Sequence, residues 1–358
     1  MKILTRYVLK EILLPLFFGI FAFASMFLGA ALIQLLRETE QFHLSLWSTF
    51  QLFSLMIPQN LMLGSTIAVL LAVLLGLGNL TGHSETIAMR AGGLSYFRLA
   101  APGIIIGLLV SIGGIMLNEY VIPVSQRAQD RLRAKLINHE SYLTIPNFNK
   151  VLFNGDVIQV IFAKQYDSRT VTLQRAVIQE ITRGRLSRTI MADRMYWQNG
   201  TWVFQNTKVY QYSEKDFYPI EMKQAELHYQ LGLNPGQIEL ANLPPEQLSM
   251  SELGAYIKGL PADKEKRNLV IELNSKFAMP FASFVFALLG TPLALKPQRR
   301  SNGANFGLCL IFVMIYYLVL AFGTWLGRAE YIPAYWGAWL ANIVLAGYGV
   351  YNFCKVKS

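Results

Sequence analysis

Among the side chains that could do chemistry, one carboxylate stands out by its setting. Glu85 lies in "TGHSETIAMRAGGLSYFR", residues 81–98, a polar stretch between two long apolar runs. Ser84 and Glu85 open a short helix there, and Gly92 and Gly93 close it. Glu85 falls in the first turn, where a carboxylate complements the helix dipole. The chemistry open to it is charge pairing, which is strong when both partners leave water. Ile87, Ala91 and Leu94 recur at i, i+4 and i+7 and give the helix one small apolar face. Isolated helices shorter than ~12–15 residues are marginal in water. The membrane, the rest of the chain or a partner must therefore hold this one. Two readings stay open: an amphipathic connector lying on lipid, or a peg that plugs into another protein.

Other chemistry is thin. No GxxxxGK[ST] phosphate loop occurs, so binding of ATP in that manner is not expected. No HExxH and no His/Cys cluster suggests a metal, and no cofactor is expected. His43, His83, His139 and His228 are scattered and read as surface or interface residues. Cys309 and Cys354 both fall in apolar runs, which suggests neither a disulfide framework nor a thiolate site. No acid/base or nucleophile constellation is visible, so the chain is not read as an enzyme.

The elements that must position Glu85 are membrane spans. The chain has 358 residues, 53% hydrophobic and 15% charged, against about 25% charged in a soluble domain. The deficit is concentrated in charge-free stretches. Six are long enough to cross ~30 Å of hydrocarbon: about Ile12 to Leu36, Leu52 to Leu77 with a kink near Pro58, Arg98 to Glu119, Lys276 to Lys296, Arg300 to Arg328 and Glu330 to Lys355. The N-terminus reads as an uncleaved span, since no small-residue cleavage site follows a short apolar core. The net charge of +10 is read first as membrane topology, and no nucleic-acid partner is expected. Lys2, Arg6, Lys10, Arg90, Arg98, Lys296, Arg299, Arg300, Lys355 and Lys357 fall on one side; only Arg37 and Arg328 fall in the short loops opposite. The positive-inside rule then places both termini and Glu85 in the cytoplasm. The central parts of the spans carry no ionisable residue, which argues against a proton-driven carrier; sodium coupling through backbone carbonyls stays open.

Between spans 3 and 4 the pattern changes. "VLFNGDVIQVIF" and "MYWQNGTWVFQN" place Asn154-Gly155 and Asn199-Gly200 between strand-like runs, as in type I′ hairpins. "TVTLQRAVIQEI" and "FYPIEMKQAELHYQL" add further strands. At least six strands fit an antiparallel sandwich or jelly roll, whose interior is either a filled core or an open groove. After Pro244-Pro245, Ser249 and Glu252 have capping-box spacing and open a short helix leading to span 4. The expected fold is an α-helical membrane protein with six transmembrane helices and an extracytoplasmic antiparallel β jelly-roll domain inserted between helices 3 and 4. The expected domains are 1–123, with helix 84–92 on the cytoplasmic side, then 124–268 and 269–358.

Four stretches in register resemble one family. "SETIAMRAGGLS", preceded by "LLGLGNLTGH", is similar to the cytoplasmic loop of the LptF/LptG (YjgP/YjgQ) permeases. "TRYVLKEIL" resembles their Arg-Tyr entry to span 1, "PPEQLSMSELGAYI" their link from the β domain to span 4, and "GTPLALKPQRRSNGANFG" their loop between spans 4 and 5. The resemblance implies a permease subunit of an ATP-driven ABC exporter in the bacterial inner membrane. Such a subunit extracts lipopolysaccharide and passes it to a periplasmic jelly-roll bridge protein. It implies a cytoplasmic ABC ATPase dimer and a paralogous or identical permease as partners. It also assigns ATPase docking to Glu85 within the motif of Ser84, Ile87, Met89, Arg90, Ala91 and Gly92. Arg37 matches a family position that meets lipid phosphates, although it reads equally as an interfacial anchor. The basic position two turns deeper is replaced by Ala30 and Ala31. Two other classes remain: an ATPase-coupled mechanotransmitting protein that moves no substrate of its own, and a secondary lipid carrier.

Overall fold

The structure is a computed structural model that describes residues 2–137, 144–154, 157–167, 170–182, 185–198, 200–212, 219–229, 243–258, 260, 264–296 and 302–357. Gly155, Asn199, His139, Arg299 and Arg300 lie outside the described residues. The chain divides into two compact units, one of residues 1–130, 249–251 and 264–358, the other of residues 131–248 and 252–263.

The first unit is helical. Helix α1 runs Lys2–Phe42, α2 Leu46–Gly82, α3 Glu85–Ala91 and α4 Tyr96–Met116; a π-helical turn, Leu117–Val121, joins α4 to α5, Ile122–Ile137. After the sheet come a 3₁₀ turn, Pro245–Gln247, then α6, Met250–Lys258, α7, Lys264–Ala294, α8, Asn302–Arg328, and α9, Ala334–Lys357. Among the described residues five helical segments are long and apolar enough to cross a membrane: Leu4–Phe42, Leu46–Gly82, Tyr96–Arg133, Lys266–Ala294 and Gly303–Arg328. They overrun the expected apolar cores because helix continues once its backbone is satisfied internally, whatever the flanking side chains. The third helix therefore passes residue 123, and the compact unit ends at Asp130. The helix likewise continues through Pro58.

Helices α2 and α7 form the centre. Leu70, Leu71, Val73 and Leu74 of α2 and Val285, Phe286 and Leu289 of α7 are buried in one cluster with Ile12 of α1, Leu99 of α4 and Tyr316 of α8. Close backbone approach makes this packing: a Cβ on Gly76 would lie 2.8 Å from the Glu11 carbonyl oxygen of α1. Gly323 and Gly337 do the same for α8 and α9. Buried polar side chains then tie helix to helix where no water competes. Asn342 Nδ2 donates to the Ala278 carbonyl at 2.9 Å, and Ser283 Oγ donates to Thr66 Oγ1 at 3.2 Å. Arg267 donates to the carbonyls of Gly327 (2.6 Å) and Ile332 (2.5 Å), clamping the end of α8 and the turn into α9.

The second unit carries one antiparallel sheet of six strands in chain order: β1 Thr144–Asn154, β2 Val157–Asp167, β3 Thr172–Thr182, β4 Arg185–Gln198, β5 Thr201–Gln211 and β6 Ile220–Tyr229. Gly200 has φ +81° between the paired Gln198 and Thr201, as a tight hairpin needs. Asn154 pairs with Val157 and so belongs to β1 rather than to the expected turn.

The sheet is rolled. In β2 to β5 the buried side chains step by three residues at one level: Ala163 to Tyr166, Leu173 to Ala176, Ala192 to Met195 and Phe204 to Thr207. A regular strand alternates every two residues. Positive φ at Arg175 (49°) and Asn206 (52°) resets the alternation, keeping both rows on the inner face. The roll brings β6 back toward β2 and β3. Tyr229 donates to Glu180 Oε1 of β3, and Gln159 Nε2 of β2 donates to the Tyr229 hydroxyl at 2.7 Å. In a flat sheet, strands three apart would be ~14 Å apart. Burial, with Glu180 beside it, pushes the Tyr229 phenol above its usual range. Ile161, Ile178, Ile190, Trp202 and Phe204 fill the inner face.

Candidate functional site

Helix α3 forms between the end of α2 and the start of α4. The chain leaves α2 through Ser84, whose φ of 60° is left-handed and whose side chain makes no cap. Its carbonyl nevertheless accepts the first helical bond, from the Ala88 N–H at 3.1 Å. At the other end Gly93, at φ +87°, donates to the Arg90 carbonyl, and the Leu94 N–H donates to Met89. That pair of bonds is a Schellman closure, which favours glycine at the left-handed position. Ser84, Gly92 and Gly93 thus delimit the helix as expected, with the left-handed turn rather than a side-chain cap at its start.

The expected apolar face is turned outward. Thr86 is buried and Met89 packs against the helical core, holding α3 to its own chain. Ile87 is 55% exposed, and Arg90, Ala91 and Gly92 are exposed as well, while Leu94 is half-buried. Ile87, Arg90 and Ala91 share a side of the helix at i, i+3 and i+4. The side that leaves the body therefore offers an isoleucine, a methyl and a guanidinium.

Glu85 is half-buried and has a partner that no spacing in the sequence signals. The Tyr7 hydroxyl, on the second turn of α1, donates to Glu85 Oε2 at 3.0 Å. The other oxygen, Oε1, has no hydrogen bond among the described residues. Arg37 lies elsewhere, exposed near the far end of α1, and Ala30 is exposed below it. It is not brought together with the α3 residues.

Two charged residues that marked expected span limits turn out to be structural. Glu119 sits in the π turn and takes the first N–H groups of α6: Met250 N donates at 2.7 Å, and Ser251 Oγ donates to Oε1 at 2.5 Å. Its neighbour Asn118 is buried and donates to the Lys276 carbonyl at 2.7 Å. Lys276 is not at a helix end but inside α7, and buried.

The lipid-compatible surface is uneven. In the most apolar window of the first helix 22% of residues are buried, and in that of α8 28%, against 72% for both α2 and α7. Leu14, Phe17, Phe18 and Phe21 of α1, and Met314, Leu318, Phe322 and Trp325 of α8, are exposed.

Five helical segments long and apolar enough to cross a membrane among the described residues, with a rolled antiparallel sheet between the third and the fourth, define the class as a membrane protein. The chain belongs to the LptF/LptG family: the profile described as "Lipopolysaccharide export system permease LptF/LptG" matches residues 6–355. It is also similar to the "Lipopolysaccharide export system permease protein LptG" of Haemophilus influenzae (strain ATCC 51907 / DSM 11121 / KW20 / Rd), 26% identical over 144 residues. That match covers 40% of this chain and spans 40% of the length of that relative.

Proposed function

We propose that this chain is a permease subunit of an ATP-driven exporter that extracts lipopolysaccharide, or a similar large glycolipid, from the inner membrane. The observation that carries the reading is the outward Ile87–Arg90–Ala91 side of a helix too short to stand alone, with Glu85 at its start. Family membership supplies the chemistry to be coupled. In this reading the chain has six spans, α9 being the last. Both termini are cytoplasmic, with residues 1–123 as spans 1–3, 124–268 as a periplasmic jelly-roll domain and 269–358 as spans 4–6.

Ser84, Glu85, Ile87, Met89, Arg90, Ala91 and Gly92 form the docking element for one subunit of an ABC ATPase dimer. The ATPases hydrolyse ATP; this chain only converts the resulting motion. The exposed apolar flanks of α1 and α8 face a second permease, paralogous or identical, and the lipid enters between them. Arg37 stands at the outer end of that path, where a guanidinium meets lipid phosphate. Acyl-chain burial is worth ~0.8 kcal/mol per CH₂, so extraction needs both external work and an apolar receiver. The rolled sheet serves as that receiver and hands the lipid to a periplasmic bridge protein by edge pairing.

Removing one partner of a desolvated ion pair costs ~2–5 kcal/mol. Glu85→Arg is therefore expected to insert normally yet abolish export, read as loss of the co-purifying ATPase and of lipid release from proteoliposomes. Normal assembly and release by that variant would refute the docking assignment.

A further inference from the structure

We infer that Tyr7 is a positioning residue that ties the docking helix to α1, so that movement of α3 is delivered to the helix with the most exposed apolar surface. The inference rests on the docking reading of Glu85. Helix α3 continues covalently from α2 and into α4, the first of which is central and tightly packed. Among the described residues its side-chain hydrogen bond to α1 is the 3.0 Å bond from the Tyr7 hydroxyl to Glu85 Oε2. The bond joins residues 78 apart in the chain. It uses one carboxylate oxygen and leaves Oε1 for a cation on a docked partner, so a single side chain can be held from both sides.

The surroundings suit such a link. The first helix packs along α2, where Gly76 meets its backbone, and only 22% of its apolar window is buried, so most of its apolar surface faces away from the bundle. Helix α3 is held by Thr86 and Met89 and is preceded by the left-handed Ser84. A phenol is also a suitable tether: it donates one directional bond, and a hydrogen bond to a charged acceptor is stronger than a neutral one. Tyr7 belongs to the stretch "TRYVLKEIL" and Glu85 to "SETIAMRAGGLS"; the hydrogen bond gives these two separate segments a shared task.

The test uses the full complex in proteoliposomes loaded with lipopolysaccharide, reading ATPase co-purification and the ratio of lipid released to ATP hydrolysed. Tyr7→Phe keeps the ring and removes only the donor. It is expected to assemble with the ATPase, because the Glu85 charge is intact, and to lower the ratio about fivefold, as loss of one charge-assisted bond allows. Tyr7→His, which retains an N–H donor, is expected to recover part of the ratio. A packing role for Tyr7 would order the variants the other way, with Phe nearest the unmodified protein. A Tyr7→Phe ratio within about twofold of the unmodified protein, or His below Phe, overturns the link. Glu85→Ala separates the two ideas: assembly undiminished in that variant removes the docking reading itself, whereas assembly lost in Glu85→Ala with an unchanged Tyr7→Phe ratio removes only the tether.

Discussion

Helices α1 and α2 are neighbours in the chain and in space, and their most apolar windows have the same mean hydropathy, yet 22% of one window is buried and 72% of the other. Hydropathy reports what a residue prefers to water, and lipid and protein interior satisfy that preference equally. Small residues make the difference. Gly64, Ala68, Ala72 and Gly76 let α2 approach its neighbours, and Gly64 and Gly76 stand directly against the α1 backbone. Helix α1 instead carries Phe17, Phe18 and Phe21 on its open side. A buried central helix therefore gains its stability from contacts within one chain, whereas an exposed flank is left for lipid or another subunit.

The sharpest way to break this contrast is to spoil the close approach. Gly76→Val would place a methine carbon 2.8 Å from backbone oxygen, which neither helix can yield without moving. Overpacking of this kind costs ~1–3 kcal/mol and often more, and here should appear as loss of folded protein in detergent. Next comes Leu70→Ala in α2, at 0% exposed, expected to cost ~2–5 kcal/mol and to lower the melting temperature clearly. The matched change on the open flank, Phe21→Ala at 74% exposed, should shift monomer stability by less than about 0.5 kcal/mol. If Phe21→Ala melts like Leu70→Ala, the flank is not open and the contrast fails. An effect between those two is expected from Glu119→Gln, which keeps an acceptor at the start of α6 but removes its charge; the loss should be about 1 kcal/mol in denaturant unfolding.

The sheet repeats the contrast on a smaller scale, with β5 buried on its inner side and β6 exposed along most of its length except near Tyr229. Tyr229 supplies the mildest prediction. Its phenol is held above the ordinary value of 10.0 by burial and by Glu180, so the folded form holds the proton more tightly than the unfolded chain does. This contribution is fully present below about pH 10 and declines as pH rises from there through the folded-state value. Alkaline unfolding followed by tryptophan fluorescence should show that decline in the unmodified protein and a flatter profile in Tyr229→Phe.

The site was legible in one direction. The segment Glu85–Ala91 is a helix because glycines close it and apolar runs bracket it, and those are local properties. Which side it turns outward was not legible. Periodicity puts Ile87, Ala91 and Leu94 on one apolar face without saying what that face meets, and Thr86 and Met89 took the inner positions. Amphipathicity cannot say whether an apolar face meets its own chain or a partner. Glu119 and Lys276 looked like the polar limits of spans, because charge inside an apolar run is costly. The structure keeps Glu119 beside the N–H groups of α6 and Asn118 on a carbonyl of α7.

By itself the sequence determined the order of this protein, with apolar helices, an inserted run of strands and apolar helices again, because burial preference and strand alternation are written residue by residue. It also marked the short polar helix between two apolar runs and, through four stretches in register, the family. Only the tertiary structure decided which helices are central, that the sheet rolls until Tyr229 reaches Glu180, and that Tyr7 holds Glu85. Those facts depend on pairs of residues tens of positions apart, and no local propensity records which distant groups will meet when the backbone closes.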